Sequence, residues 1–161
     1  MKSISDLEPG ILAGTASALL LTGALGFQYL GGLPPCPMCH WQRWPHIAAI
    51  LIGLGGGLLV QGGILPRVAA LPIGVIAALA LGLSGAIGVY HAGVEWMLWP
   101  GPATCAGLGF VPGAADDPNA FRLVRCDVAP WRFLGLSLAG YNGLISLSVA
   151  GFCLWLSARE K

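Results

Sequence analysis

Charge is what this 161-residue chain has least of: 9% of its residues are Asp, Glu, Lys or Arg, while 56% are hydrophobic. A soluble domain carries about 25% charge, so this chain cannot solvate an ordinary globular surface. Its net charge of +1 excludes a nucleic-acid binder working through a basic face. The apolar content excludes a disordered tail, and the 25 Gly fit no collagen-like repeat. What remains is one integral membrane domain over residues 1–161.

With so few charges, the gaps between them map the topology. Residues 10–42, 44–66, 68–94, 96–115 and 133–158 contain none. Crossing a bilayer core of about 30 Å takes about 20 helical residues at about 1.5 Å each, and four of the gaps qualify. The fifth, 96–115, is broken by Pro100, Pro102, Pro112 and several Gly, which a lipid-exposed helix could not absorb without unpaired backbone groups. It reads as loop. The pattern predicts an all-α membrane protein, a four-transmembrane-helix bundle with spans near 11–30, 47–65, 69–89 and 135–156. Gly14 with Ala18 and Gly82 with Ala86 suit close helix packing in lipid. Asp6 and Glu8, rather than a basic segment, precede the first span, which is therefore expected to stay in the membrane as a helix.

Four spans put both termini on one side and the loops 31–46 and 90–133 on the other. Positive charge does not orient them. Lys2, Arg67, Arg159 and Lys161 lie on the terminal side, and Arg43, Arg122, Arg125 and Arg132 on the loop side. The cysteines break this tie. Cys36, Cys39, Cys105 and Cys126 share the loop side and suggest two disulfide-capable pairs, Cys36 with Cys39 and Cys105 with Cys126, on an oxidising, periplasmic face. The termini are then cytoplasmic. Cys153, inside the last span, reads as a small buried hydrophobe.

His40, His46 and His91 share the loop side with Trp41, Trp44, Trp96, Trp99 and Trp131, leaving Trp155 opposite. An interfacial aromatic belt serves both interfaces, so the skew points to a site, although anchoring explains any single Trp. Asp117 and Pro118 can cap and start a short interfacial helix ending near Arg125, with Phe121 and Val124 on the membrane surface. A plain turn explains them equally well.

The most informative stretch is Cys36-Pro-Met-Cys39-His40-Trp-Gln42-Arg43. A Cys-x-x-Cys pair closes and reopens readily, and a nearby cation or helix N-terminus favours one thiolate. Arg43 is four residues beyond Cys39, so on a helix the two share a face, with a positive charge beside any acceptor of the electrons. Cys-x-x-Cys-His also spells a covalent haem attachment, with His40 as axial ligand. A connection of about sixteen residues is too short to wrap a macrocycle, and haem leaves Cys105 and Cys126 unexplained. Zinc fits worse, because the second pair is twenty-one positions apart rather than two to four.

Together, Cys36-x-x-Cys39 followed by Gln42-Arg43, the stretch from His91-Ala-Gly-Val-Glu-Trp to Trp99-Pro-Gly-Pro-Ala-Thr-Cys105, and Cys126-Asp-Val-Ala-Pro-Trp131-Arg-Phe-Leu-Gly-Leu136 resemble the DsbB family of disulfide bond formation proteins. The resemblance implies a protein-dithiol:quinone oxidoreductase of the bacterial inner membrane that reoxidises a periplasmic DsbA-type partner and passes the electrons to a quinone, ubiquinone in the first place or else menaquinone. It gives Cys105 the attack by the partner's thiolate, Cys126 the attack on Cys36, and Cys39 the place facing the quinone. Arg43, His91 and Trp131 match positions near the quinone ring. A vitamin K epoxide reductase-like protein would share this chemistry and differ in its partner.

Such a relay needs one cysteine pair that moves and one held near the membrane. Gly101, Gly107, Gly109 and Gly113 around Cys105 suit the first role, and the helices flanking Cys36 and Cys39 suit the second. Oxidising a partner at about −120 mV from a structural disulfide at about −300 mV is uphill by about 8 kcal/mol. The pair must therefore be tuned upward or drained by its acceptor.

Overall fold

The computed structural model describes residues 8–105 and 124–159. Four helices, α1 (Pro9–Tyr29), α2 (Pro37–Gln61), α3 (Arg67–Glu95) and α4 (Leu138–Arg159), are each long and apolar enough to cross a membrane. The molecule is a four-helix, multi-pass membrane protein. Its helices pack through small residues: Ala13, Ala49, Ala77, Ala78, Leu81, Ala150 and Cys153 form one buried cluster. In lipid, close van der Waals approach replaces the hydrophobic drive of water, and Ala and Gly permit it. A Cβ on Gly14 would lie 2.3 Å from the Leu54 backbone nitrogen of α2. Of the expected small-residue contacts, Gly82 meets only the Ala150 methyl, at 3.5 Å, and Ala86 is exposed. The tight glycines of α3 are Gly85 and Gly88, pressed onto Ser146, Leu147 and Gly143 of α4.

The helices overrun the charge-defined spans. α2 begins at Pro37 rather than residue 47, so Cys39, His40, Gln42, Arg43 and His46 are helical, and α3 continues through His91 to Glu95. Charge gaps mark the depth of hydrocarbon, whereas a helix ends where its backbone loses its pattern. Pro37 at the first turn and Cys36 as N-cap start α2, positions where a missing N–H costs nothing. Pro45 lies inside the helix and is followed by a π-helical stretch, Ile50–Gly55. Just before the proline, Ser84 Oγ of α3 donates to the Gln42 carbonyl oxygen at 2.9 Å, tying the two helices together there.

The expected last span loses its start to a hairpin, β1 (Arg132–Phe133) against β2 (Leu136–Ser137), antiparallel, with Arg132 opposite Ser137. Leu134 and Gly135 turn it with φ of 48° and 84°, the positive values a two-residue type I′ turn requires. Asp116 to Phe121 of the expected interfacial helix lie outside the described residues. Val124 and Arg125 are not helical, and Val124 packs on a cysteine cluster instead of lying on the membrane surface.

Candidate functional site

All four loop-side cysteines meet at one end of the bundle. Cys36, Met38, Val94, Cys105 and Cys126 form a second buried cluster, with Cys39 packed against it. Cys105 and Cys126 are joined by a disulfide, and Cys36 and Cys39 are free thiols. Cys105, expected on a segment able to move, is 4% exposed, because the chain after α3 folds back. Trp99 stacks on Tyr90 with ring centroids 5.8 Å apart and donates through Nε1 to the Tyr90 carbonyl oxygen at 2.9 Å. The ring covers Gly93, where a Cβ would lie 2.0 Å from it. Next to Cys126, an exposed Arg125 pairs with Asp127 and, by its hydrogen bonds and charge, holds the Asp127 carboxyl below the usual carboxylate range.

Cys36 caps α2: its Sγ accepts from the Cys39 backbone N–H at 3.1 Å and lies 2.7 Å from Cys39 Sγ. The Cys39 contact first, and burial second, hold the Cys36 thiol well above the usual thiol range. His91 Nε2 lies 3.6 Å from Cys36 Sγ and 3.8 Å from Glu95 Oε1. The ligand atoms of Cys36, Cys39 and His91 all fall within 4.8 Å of one another, close enough by distance to hold a metal ion.

On the other side of Cys39 is a cavity of about 390 Å³ between α1, α2, α4 and the hairpin, with mostly apolar walls. Cys39, Gln42, Arg43, His46 and Trp131 line it, and His91, expected near the same ring, does not. Trp131 is set by Phe27, Phe133 and Tyr141, with ring centroids 5.1, 6.1 and 6.2 Å away. Gln28 Oε1 in the wall is buried without a hydrogen-bond partner among the described residues, while Arg43 supplies donors. The lining thus fits a flat, largely apolar ring bearing oxygen substituents. Leu19 and Ile145, also in the wall, are 70% and 39% exposed on the outer helix faces, so the cavity opens sideways.

The family model for "Disulfide bond formation protein DsbB" matches residues 9–156. The chain belongs to the DsbB family. Among its curated relatives, the disulfide bond formation protein B of Azoarcus sp. (strain BH72) is 35% identical over 150 residues, covering 86% of this chain and 84% of the relative. That of Aromatoleum aromaticum is 35% identical over 151 residues, covering 86% and 87%. The protein of Xanthomonas campestris pv. campestris (strain 8004) is 31% identical over 157 residues, covering 94% and 90%. No solved structure is a match to this chain.

The polar residues that stand between the cysteines and the cavity include three that sequence reasoning missed, Ser84, Asn142 and Ser146. Gln42 and His46 of α2, Ser84 of α3, and Asn142 and Ser146 of α4 are joined by hydrogen bonds of 2.8 to 3.1 Å. The available signal was a polar side chain inside an apolar span, which in membranes faces the bundle interior. His40, the axial ligand a covalent haem would need, is exposed; the histidine beside the cysteine pair is His91.

Proposed function

We propose that this DsbB-family protein reoxidises a periplasmic DsbA-type dithiol protein and passes two electrons through its cysteine pairs to a quinone, as a protein-dithiol:quinone oxidoreductase of the bacterial inner membrane. The loops face the periplasm and the termini the cytoplasm. One observation carries the reading: both cysteine pairs share a buried cluster, and Cys39 belongs at once to that cluster and to the cavity wall. Thiol–disulfide exchange needs sulfurs that can meet in line, and the clustering supports such a meeting.

The exchange begins with Cys36 and Cys39 bonded. The partner's thiolate attacks Cys105 Sγ, the Cys105–Cys126 bond breaks, and Cys126 leaves as thiolate. Cys126 attacks Cys36, releasing Cys39 toward the cavity. The partner's second thiol resolves the mixed disulfide and frees Cys105, which attacks Cys126 and expels Cys36. The sum is an oxidised partner, a restored Cys105–Cys126 bond and two reduced sulfurs at 36 and 39, the pairing found in this structure. A bound quinone, ubiquinone or menaquinone, supplies an acceptor for two electrons and two protons and leaves as quinol. Arg43 and Trp131 hold its ring; His91 reaches the cavity only through Gln42, which bonds its Nδ1 at 2.9 Å. Because Cys105 is buried, its segment opens before a partner thiol reaches it.

Purified protein mixed with a reduced DsbA-type partner and ubiquinone, followed by quinone absorbance, tests the reading. Ser variants at Cys36, Cys39, Cys105 and Cys126 lose turnover, and Cys153→Ser keeps it. Arg43→Ala raises the apparent quinone KM about tenfold, the scale of one hydrogen bond from a charged group. Full turnover without Cys39 overturns the mechanism.

A further inference from the structure

The polar side chains between the cysteines and the cavity form a hydrogen-bonded relay whose direction can be read from its backbone partners. Gln42 Nε2 donates to the Met38 carbonyl oxygen at 3.2 Å, and Asn142 Nδ2 donates to that of Ser84 at 3.3 Å. A carbonyl oxygen only accepts, so both amide groups are oriented. Asn142 Nδ2 also donates to Gln42 Oε1 at 2.8 Å, which leaves the second Gln42 N–H for His91 Nδ1, 2.9 Å away. Nδ1 is thereby an acceptor. A neutral imidazole with a bare Nδ1 carries its hydrogen on Nε2, the nitrogen 3.6 Å from Cys36 Sγ.

We propose that the Ser84–Asn142–Gln42 relay locks His91 in the Nε2–H tautomer, making it a positioning residue that donates to the Cys36 sulfur and withholds the lone pair a metal ion would need. By distance alone, Cys36, Cys39 and His91 form a metal triad, and two thiolates with an imidazole suit zinc. Coordination through Nε2 would move the hydrogen to Nδ1, directly opposite the Gln42 N–H. Two donors would then face each other in a buried site, and neither amide can turn without losing its backbone partner. The relay guards a reduced dithiol from a metal that its geometry would otherwise invite.

The use of this donor rests on the redox reading above. When the Cys105 thiolate attacks Cys126, the Cys36–Cys126 bond breaks, the Cys105–Cys126 bond forms, and the electron pair leaves on Cys36. His91 Nε2–H donates a hydrogen bond to that sulfur. The proton stays on nitrogen, because giving it up would leave an imidazolate.

The test uses the full chain in lipid nanodiscs with 15N-labelled histidine and Cys36 and Cys39 reduced, since the two ring nitrogens of each tautomer have distinct 15N shifts. His91 shows Nε2–H in the wild type. Gln42→Glu, whose carboxylate still accepts from Asn142, moves the hydrogen to Nδ1. Titration with zinc alone then gives a His91-dependent site in Gln42→Glu and none in the wild type. His91→Phe shifts the Cys36–Cys39 equilibrium about tenfold toward the disulfide, about 30 mV, and His91→Gln, which keeps an N–H, restores part of it. An Nδ1–H tautomer in the wild type, or wild-type zinc binding that His91→Phe abolishes, overturns the proposal. Should His91→Phe fail to fold, the tautomer and zinc measurements on wild type and Gln42→Glu decide alone. Neither needs partner or quinone: lost turnover with Nε2–H retained strikes the redox reading, and a bare Nε2 with normal turnover strikes this one.

Discussion

Cys36 concentrates several demands on one sulfur. It caps a helix, faces a second thiol and lies 3.6 Å from a histidine ring nitrogen. The hydrogen bond with Cys39 and burial both raise its pKa, and a raised pKa keeps the thiol protonated to higher pH. In reduced protein, alkylation of Cys36 by iodoacetamide is therefore slow at neutral pH and accelerates only in alkali, with peptide mass spectrometry as the readout. Cys39→Ala removes the largest cause and shifts that profile to lower pH; rapid neutral alkylation in the wild type would contradict the raised pKa. At this scale the sequence was legible where residues were rare. Five Cys and fifteen charged residues in 161 positions make Cys36, Cys39 and Arg43 conspicuous. Asn142 was not, nor was its pairing with Gln42, because one polar side chain in an apolar helix does not announce a partner 100 residues away.

A helix end decides where a side chain points, and here the ends were the least legible part of the chain. Cys39 and Arg43 share a helical face because α2 starts at Pro37, before the hydrocarbon that charge gaps detect. The hairpin escaped notice because Leu134 and Gly135 sit at the start of a charge-free run, and their positive φ keeps the helix from starting there. The return after α3 depends on Gly93, since Trp99 occupies the space of any Cβ there. Gly93→Ala forces that ring off Tyr90 and costs about 1–3 kcal/mol, the usual scale of overpacking. Thermal unfolding in detergent is expected to show the loss, together with faster reduction of Cys105–Cys126 by dithiothreitol as the segment loosens. Unchanged melting and reduction would mean that Trp99 does not hold the segment.

The four-helix membrane architecture was legible as a whole because charge is excluded from hydrocarbon at a cost no single helix can hide, and four gaps of sufficient length leave few alternatives. The gathering of both cysteine pairs was expected only on a shared side of the membrane. Their assembly in one cluster depends on the fold-back over Gly93 and on the hairpin, which no spacing encodes. On the proposed function, the cavity's side opening past Leu19 and Ile145 would make this a catalyst of two phases. A hydrophobic acceptor entering there is counted as a mole fraction of lipid, while a thiol partner is counted in litres of water. Adding empty lipid to vesicles at fixed protein and quinone is expected to slow turnover as the acceptor thins out in two dimensions, with the dependence on partner concentration unchanged. A rate indifferent to lipid would place the entrance on the aqueous side. Slowing by added lipid would instead mean that the protein meters its own speed by the crowding of its membrane, coupling the proposed oxidation of partner thiols to how much acceptor the bilayer carries per unit area.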